Sequence, residues 1–239
     1  MSTDAAGGTA SLWSQGAIPA AGATPPTGVG EAPTKATAGS LPFTAVGGDT
    51  EIRVARGWIT MSTLGVVSLY DRLVHTSGLD GTLTTAQTIN SAALTRHTSG
   101  EGVELLIEHY AATGSGAATL TVTYTNQAGT SGRVATVTFL ASPLPGLMQP
   151  VPLAAGDSGV RSVQSVQLSN TTGTAGNFGI TLAKTHCEMA PDTASIGKIF
   201  GPFQLGLPDL DPDACLAMAV TCSTTSTGLM NGLWELVQG

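Results

Sequence analysis

Several groupings of side chains in this 239-residue chain carry atoms that catalysis or metal binding would use. His186-Cys187-Glu188 sets a base, a thiol and a carboxylate side by side. A cysteine nucleophile needs its base within hydrogen-bond reach. Neighbours on a strand point to opposite faces, so this trio reads as a buried structural thiol. Asp209, Asp211 and Asp213 alternate along the chain, and hard cations such as calcium take several oxygen ligands. The run lacks the glycine and distal glutamate of an EF-hand loop and reads as a solvated acidic turn. Glu104 and Glu108 are a carboxylate pair of the kind glycoside hydrolysis uses. On one strand they stand about 13 Å apart, beyond either usual glycosidase spacing. His75, His97 and His109 are too dispersed in sequence to define a zinc site. No nucleophile elbow, zinc-binding HExxH, phosphate-cradling loop or dinucleotide fingerprint is present. The chain is therefore expected not to be an enzyme, with no catalytic residue, metal site or cofactor. Asp71-Arg72 and Arg96-His97, near Glu101 and Glu104, are suited to salt bridges or an interface patch.

The elements that would position these groups are strands. In residues 116–140, Leu120, Val122 and Tyr124 alternate with threonines. After a turn at 126–132 the alternation resumes, with Ala135, Val137 and Phe139 on one face. A period of two, rich in threonine and valine, predicts an antiparallel hairpin, and Asn126, Gly129 and Gly132 suit its turn. Further strands are expected at 52–59, with its charged side chains on one face, and at 65–75, where a short helical turn competes. Others are expected at 82–89, with Leu83 and Ile89 inward, at 103–111, and at 147–153 as a proline-interrupted edge. Residues 160–168 and 179–187 look like a pair, and 215–221 with 229–237 like a closing hairpin. Residues 191–212 read as irregular. About nine or ten strands with turns between them predict an all-β fold, a two-sheet antiparallel sandwich, jelly-roll-like.

Residues 1–48 differ from the rest. Ala, Gly, Thr and Pro dominate, and only Leu12, Trp13, Ile18, Leu41 and Phe43 are sizeable apolar side chains. Such a segment cannot bury enough apolar surface to fold alone. The expectation is an extended N-terminal arm on a β-sandwich domain at 49–239. Fully extended, the arm would reach well over about 100 Å. It would order on a neighbouring subunit, with Leu12, Trp13, Leu41 and Phe43 as anchors and Phe200 and Phe203 as further interface residues.

Charged residues are only 10% of the chain, against about 25–35% of an ordinary soluble surface. A surface of Thr, Ser, Ala and Gly suits being covered by neighbours, so a homo-oligomer, a dimer or trimer, is expected. A net charge of −7 and nine scattered basic residues exclude direct nucleic-acid binding, which needs clustered Lys and Arg. No apolar run approaches a membrane span of about 20 residues. The first residues lack a basic start followed by an apolar core, so synthesis in a cytoplasm is expected. Three cysteines without CxxC spacing fit reduced core thiols.

At residues 70–79, YDRLVHTSGL, and 124–132, YTNQAGTSG, the chain resembles virion structural proteins of tailed bacteriophages. The likeness is one of style across 52–237. It implies a decoration or cement protein that binds the outer surface of the capsid, with the major capsid protein as partner. It would link neighbouring capsomers and reside in the virion after synthesis in the host cytoplasm. The long spine helix of a major capsid protein is not seen. An alternative is a virion binding module, a receptor-binding or tail-spike component, with loops 75–81, 96–102 and 169–177 as its surface. Those loops hold no Trp, Tyr or Phe, which speaks against sugar binding. A metal enzyme of the double-stranded β-helix type would need two His and a carboxylate to converge.

Overall fold

The computed structural model describes residues 6–13, 20–45, 51–226 and 228–239. In chain order its elements are β1 (Thr9–Ser11), β2 (Ile52–Met61), β3 (Gly65–His75), β4 (Gln87–Thr88), β5 (Glu104–Ala111), β6 (Thr119–Asn126), β7 (Arg133–Thr138), β8 (Leu147–Pro150), β9 (Val160–Leu168), β10 (Asn177–Met189), β11 (Lys198–Phe200), the helical turn α1 (Pro202–Leu205), β12 (Asp209–Leu210), β13 (Leu216–Cys222) and β14 (Met230–Gln238). The protein is all-β. No helix among the described residues is long and apolar enough to cross a membrane.

The chain forms two compact units that do not divide at residue 48. The first takes Met1–Gly22, Thr34–Asp71 and Thr185–Gly239, and the second takes Ala23–Pro33 and Arg72–Lys184. Strands β3 and β10 each give one end to each unit. The described strands form more sheets than the two of a jelly-roll sandwich. The expected arm is also shared out: each unit takes part of it.

In the second unit, β6 pairs with β7 and with β9, which also carries β4; β10 pairs with β5, and β5 with β8. The hairpin expected at 116–140 is β6 and β7, running from Thr119↔Thr138 to Tyr124↔Arg133. Leu120, Val122 and Tyr124 enter a core that also holds Phe139, Phe178, Ile180 and Leu182. Strand β9 spaces its first apolar residues by three, Val160, Val163 and Val166, which a flat strand would scatter over both faces. Register shifts against β6 absorb one residue between each pair, so all three are buried in that core.

In the first unit, β2 has β14 on one side and both β11 and β12 on the other. Strand β13 lies between β1 and β3. Ile52, Val54, Ile59 and Met61 of β2 face a second core, against which Met230, Trp234 and Leu236 of β14 pack. Arg53 and Arg56 are three apart, yet both lie on the opposite face. A register shift at Ala55, where Glu235 pairs with Arg56 and Leu236 with Val54, turns the strand by one residue.

Several expected pairings are corrected. Strands β9 and β10 are not partners, and β13 and β14 do not form a hairpin. Alternation predicts a strand but carries no information about which strand completes its ladder. Residues 191–212 do join a sheet, through β11 and β12 on β2. Of 82–89 only Gln87–Thr88 is strand, and Leu83 is exposed whereas Ile89 is buried. Residues 65–75 are strand throughout.

Candidate functional site

In the second unit, Glu108 and Arg72 form an ion pair in which both side chains are fully buried. Arg72 also donates to the Tyr110 hydroxyl at 3.0 Å and, through Nε, to His75 Nδ1 at 2.7 Å. Glu108 accepts from Tyr110 at 3.0 Å and from Thr181 at 2.8 Å. A buried charge is tolerated only when it is paired and hydrogen-bonded. Because Nδ1 of His75 accepts from Arg72, the ring proton sits on Nε2, which donates to Glu31 at 2.7 Å. Burial, with the Arg72 cation beside it, pushes the His75 pKa down to about 2, so the ring is neutral. Burial and the Glu108 charge push the Tyr110 hydroxyl well above its ordinary range, against the opposing pull of the Arg72 cation. Glu104 is exposed while Glu108 is buried, so the two carboxylates share no cleft.

This network also holds down part of the leader. Glu31 and His75 exchange both backbone hydrogen bonds, at 3.2 and 3.1 Å. Ser77 N–H donates to the Pro26 carbonyl at 3.0 Å, and Arg96 to the Pro33 carbonyl at 2.9 Å. Residues 23–33 thus add an extended segment to the end of β3 within their own chain. Loop 75–81 is correspondingly mostly buried, His75, Thr76 and Ser77 included, which removes one of the three proposed recognition loops.

His109 lies on the opposite face of β5, with ring centroids 5.3 Å from Phe139 and 6.1 Å from Phe178. Burial lowers its pKa to about 4. Neither ring nitrogen has a hydrogen-bond partner among the described residues. His75 and His109 therefore do not converge on a metal. A feature with no sequence signal is the Asp157 carboxylate, only 4% exposed, which gathers Tyr124, Asn126 at 2.7 Å and Arg133 at 2.8 Å. The hydrogen bonds from Arg133 and Tyr124 hold its pKa down at about 2. It clamps the end of the β6–β7 hairpin, and its partners come from distant positions that no local pattern links.

In the first unit, Cys187 is buried, and burial pushes its thiol up to about 12, the opposite of an activated nucleophile. Glu188 is turned outward and accepts from Ser68 at 2.8 Å. The aspartates of 209–213 diverge: Asp209 meets Arg53, Asp213 meets Lys35, and Asp211 accepts from the Asp213 N–H. They build no common cation site. Asp71 accepts from the Cys215 N–H at 2.8 Å.

The residues expected at a subunit interface have mixed placements. Trp13 is buried in its own unit, and Gly22 and Gly39 lie flat against its ring. A Cβ at Gly22 would stand 2.3 Å from the indole, and Gly39, at φ +100°, takes a conformation that side chains avoid. Leu12, Leu41 and Phe43 pack on the second core, and Phe200 is buried within it. Phe203 alone among them is fully exposed. The leader is thus part of the fold, and deleting 1–48 would remove core residues along with any arm.

One face of the β11-β2-β14 sheet is turned to the surface. Opposed residues on paired strands share a face. Ile199, Trp58 and Leu233 therefore stand in one row, away from the core. Ile199 is 60% exposed and Leu233 52%, and Phe203 of α1 is fully exposed. Ion pairs flank this row: Arg56 with Glu235 at 2.8 Å, and Arg53 with Glu51 and Asp209 at 2.8 Å each. An apolar centre with a charged rim is the composition of a protein-docking surface. No family model, curated protein or solved structure matches the chain.

Proposed function

We propose that this is a structural protein of assembly, a capsid decoration or cement protein of a tailed-phage-like virion. In this reading it binds the major capsid protein on the outer surface of the shell, as a homo-oligomer, and ties neighbouring capsomers together. The observation that carries the reading is the row of Ile199, Trp58 and Leu233, in which Ile199 and Leu233 are exposed, together with the fully exposed Phe203 of α1. Large apolar groups displayed on a sheet face favour a partner's surface over water, at about 25 cal/mol per Å² covered. Glu108, a candidate catalytic carboxylate, is instead spent on an internal pair with Arg72. The role does not require a jelly roll; it requires a firm scaffold with one sticky face. Multivalent attachment of such faces would sum modest contacts into firm clamping.

The test is mass spectrometry of purified virions from cells that make the protein, followed by co-sedimentation with shells stripped of it. Phe203→Ser with Ile199→Ser is expected to bind stripped shells at least about tenfold more weakly. Both side chains are exposed, so the melting temperature should be unchanged. A protein absent from the particles, or unaltered shell binding by the double variant, overturns the reading.

A further inference from the structure

Strand β14 closes its sheet on one side only. It pairs with β2 from Met230↔Met61 to Gln238↔Ile52, and no other described strand lies on its outer edge. Nine residues are long for an edge, and such a row of open N–H and C=O groups is a template for another strand. Edges that must stay single carry Lys, Pro or an inward charge. The sequence of β14, MNGLWELVQ, has no Lys, Arg or Pro. Its one charge, Glu235, is already held by Arg56, so two such edges can meet without an uncompensated like charge despite the net −7 of each chain.

We infer that β14 pairs antiparallel with β14 of a second copy about a two-fold axis at Leu233. Symmetry fixes what this register brings together, because opposed residues share a face. On the outer face Leu233 meets its own counterpart, Asn231 meets Glu235, and Leu229 meets Val237. On the core-facing side Gly232 meets Trp234, and Met230 meets Leu236. Apolar groups oppose apolar ones, the amide opposes the carboxylate, and glycine leaves room beside the indole. A register centred on Glu235 would set two carboxylates against each other, which is unfavourable. Leu229 is 78% exposed, Leu233 52% and Val237 44%, so the pairing covers side chains now in water. It also joins the two rows of Ile199, Trp58 and Leu233 into one apolar band across the dimer.

This inference concerns only copies of the chain and stands apart from the shell reading. A protein that dimerises but binds no shell refutes the shell role alone. A protein that binds shells but whose oligomer does not pair through β14 refutes the pairing alone. The decisive experiment is sedimentation equilibrium of the full chain, with Leu233→Cys as a probe of register. Directly opposed antiparallel residues have Cα atoms about 4.5–5.5 Å apart, within disulfide range. The native thiols, Cys187, Cys215 and Cys222, are buried and do not compete. The expected result is a wild-type dimer, rapid cross-linking of Leu233→Cys but not of Glu235→Cys, and a dimer constant weakened at least about tenfold in Leu233→Lys. The melting temperature of dilute Leu233→Lys should match that of dilute wild type. A wild-type monomer at about 100 µM overturns the proposal. So does a dimer that Leu233→Lys leaves intact or that Leu233→Cys fails to cross-link.

Discussion

The two units treat charge differently. The second buries its pair of Arg72 and Glu108 completely, and Phe139, Phe178 and His109 stack inside its core, while Val29, Leu83, Val134 and Leu144 stay exposed. The first leaves its ion pairs in solvent and exposes more large apolar side chains. Its ion pairs, Arg56 with Glu235 and Arg53 with Asp209, are solvent-exposed, and Ile196, Ile199, Phe203, Leu229, Leu233 and Val237 stand in water. A buried pair specifies one geometry and is costly to break. An exposed pair contributes little to stability and is free to rearrange at an interface. The contrast is between a unit whose central ion pair is locked inside and one whose ion pairs are open to solvent.

The sharpest way to break this contrast is to delete one carboxylate from each unit. Glu108→Leu strands the Arg72 cation in the interior, at a cost of about 3–5 kcal/mol in a urea melt. Its counterpart Glu235→Gln removes half of an exposed pair and should cost no more than about 1 kcal/mol. Equal effects would show that burial does not distinguish the two pairs.

The next largest effect tests whether the leader belongs to the first unit or to a neighbour. Trp13 is 1% exposed, and Trp13→Ala should destabilise the isolated chain by about 3 kcal/mol or more, independent of protein concentration. A stability loss seen only at assembling concentrations would return Trp13 to the role of an inter-subunit anchor.

A smaller effect depends on pH. His109 has its pKa lowered to about 4 from an ordinary 6.5, so its contribution is fully present above pH 6.5. The unfolded chain takes up the proton first, and stability falls as pH drops from 6.5 towards 4, on the order of 2–3 kcal/mol in all. His109→Phe keeps a ring between Phe139 and Phe178 and should flatten that slope in melts at pH 7 and 4.5. An unchanged slope would assign the acid sensitivity elsewhere, with His75 the first candidate.

The local pattern was legible wherever one face of a strand is buried. Leu120, Val122 and Tyr124 announce β6 because alternation records which side meets a core. It also showed why His186 and Cys187 could not act together, and that Glu104 and Glu108 are too far apart for one reaction. The role of the leader is hidden in its composition for a physical reason. Residues too poor in apolar mass to fold alone can still complete a core built by others, as Trp13 does, or add an extended segment to β3, as Glu31 does against His75.

By itself the amino-acid order determined the all-β class, the hairpin of β6 and β7, the sparse charge and the lack of a recognisable catalytic motif. These follow from side-chain period and composition, which are local. Only the tertiary structure decided that β14 pairs with β2 instead of β13, that Arg72 is buried on Glu108 across 36 residues, and that Ile199, Trp58 and Leu233 share a row. Strand partnership and ion pairing depend on which distant segments meet, and a period of two is satisfied equally by any partner that covers the same face.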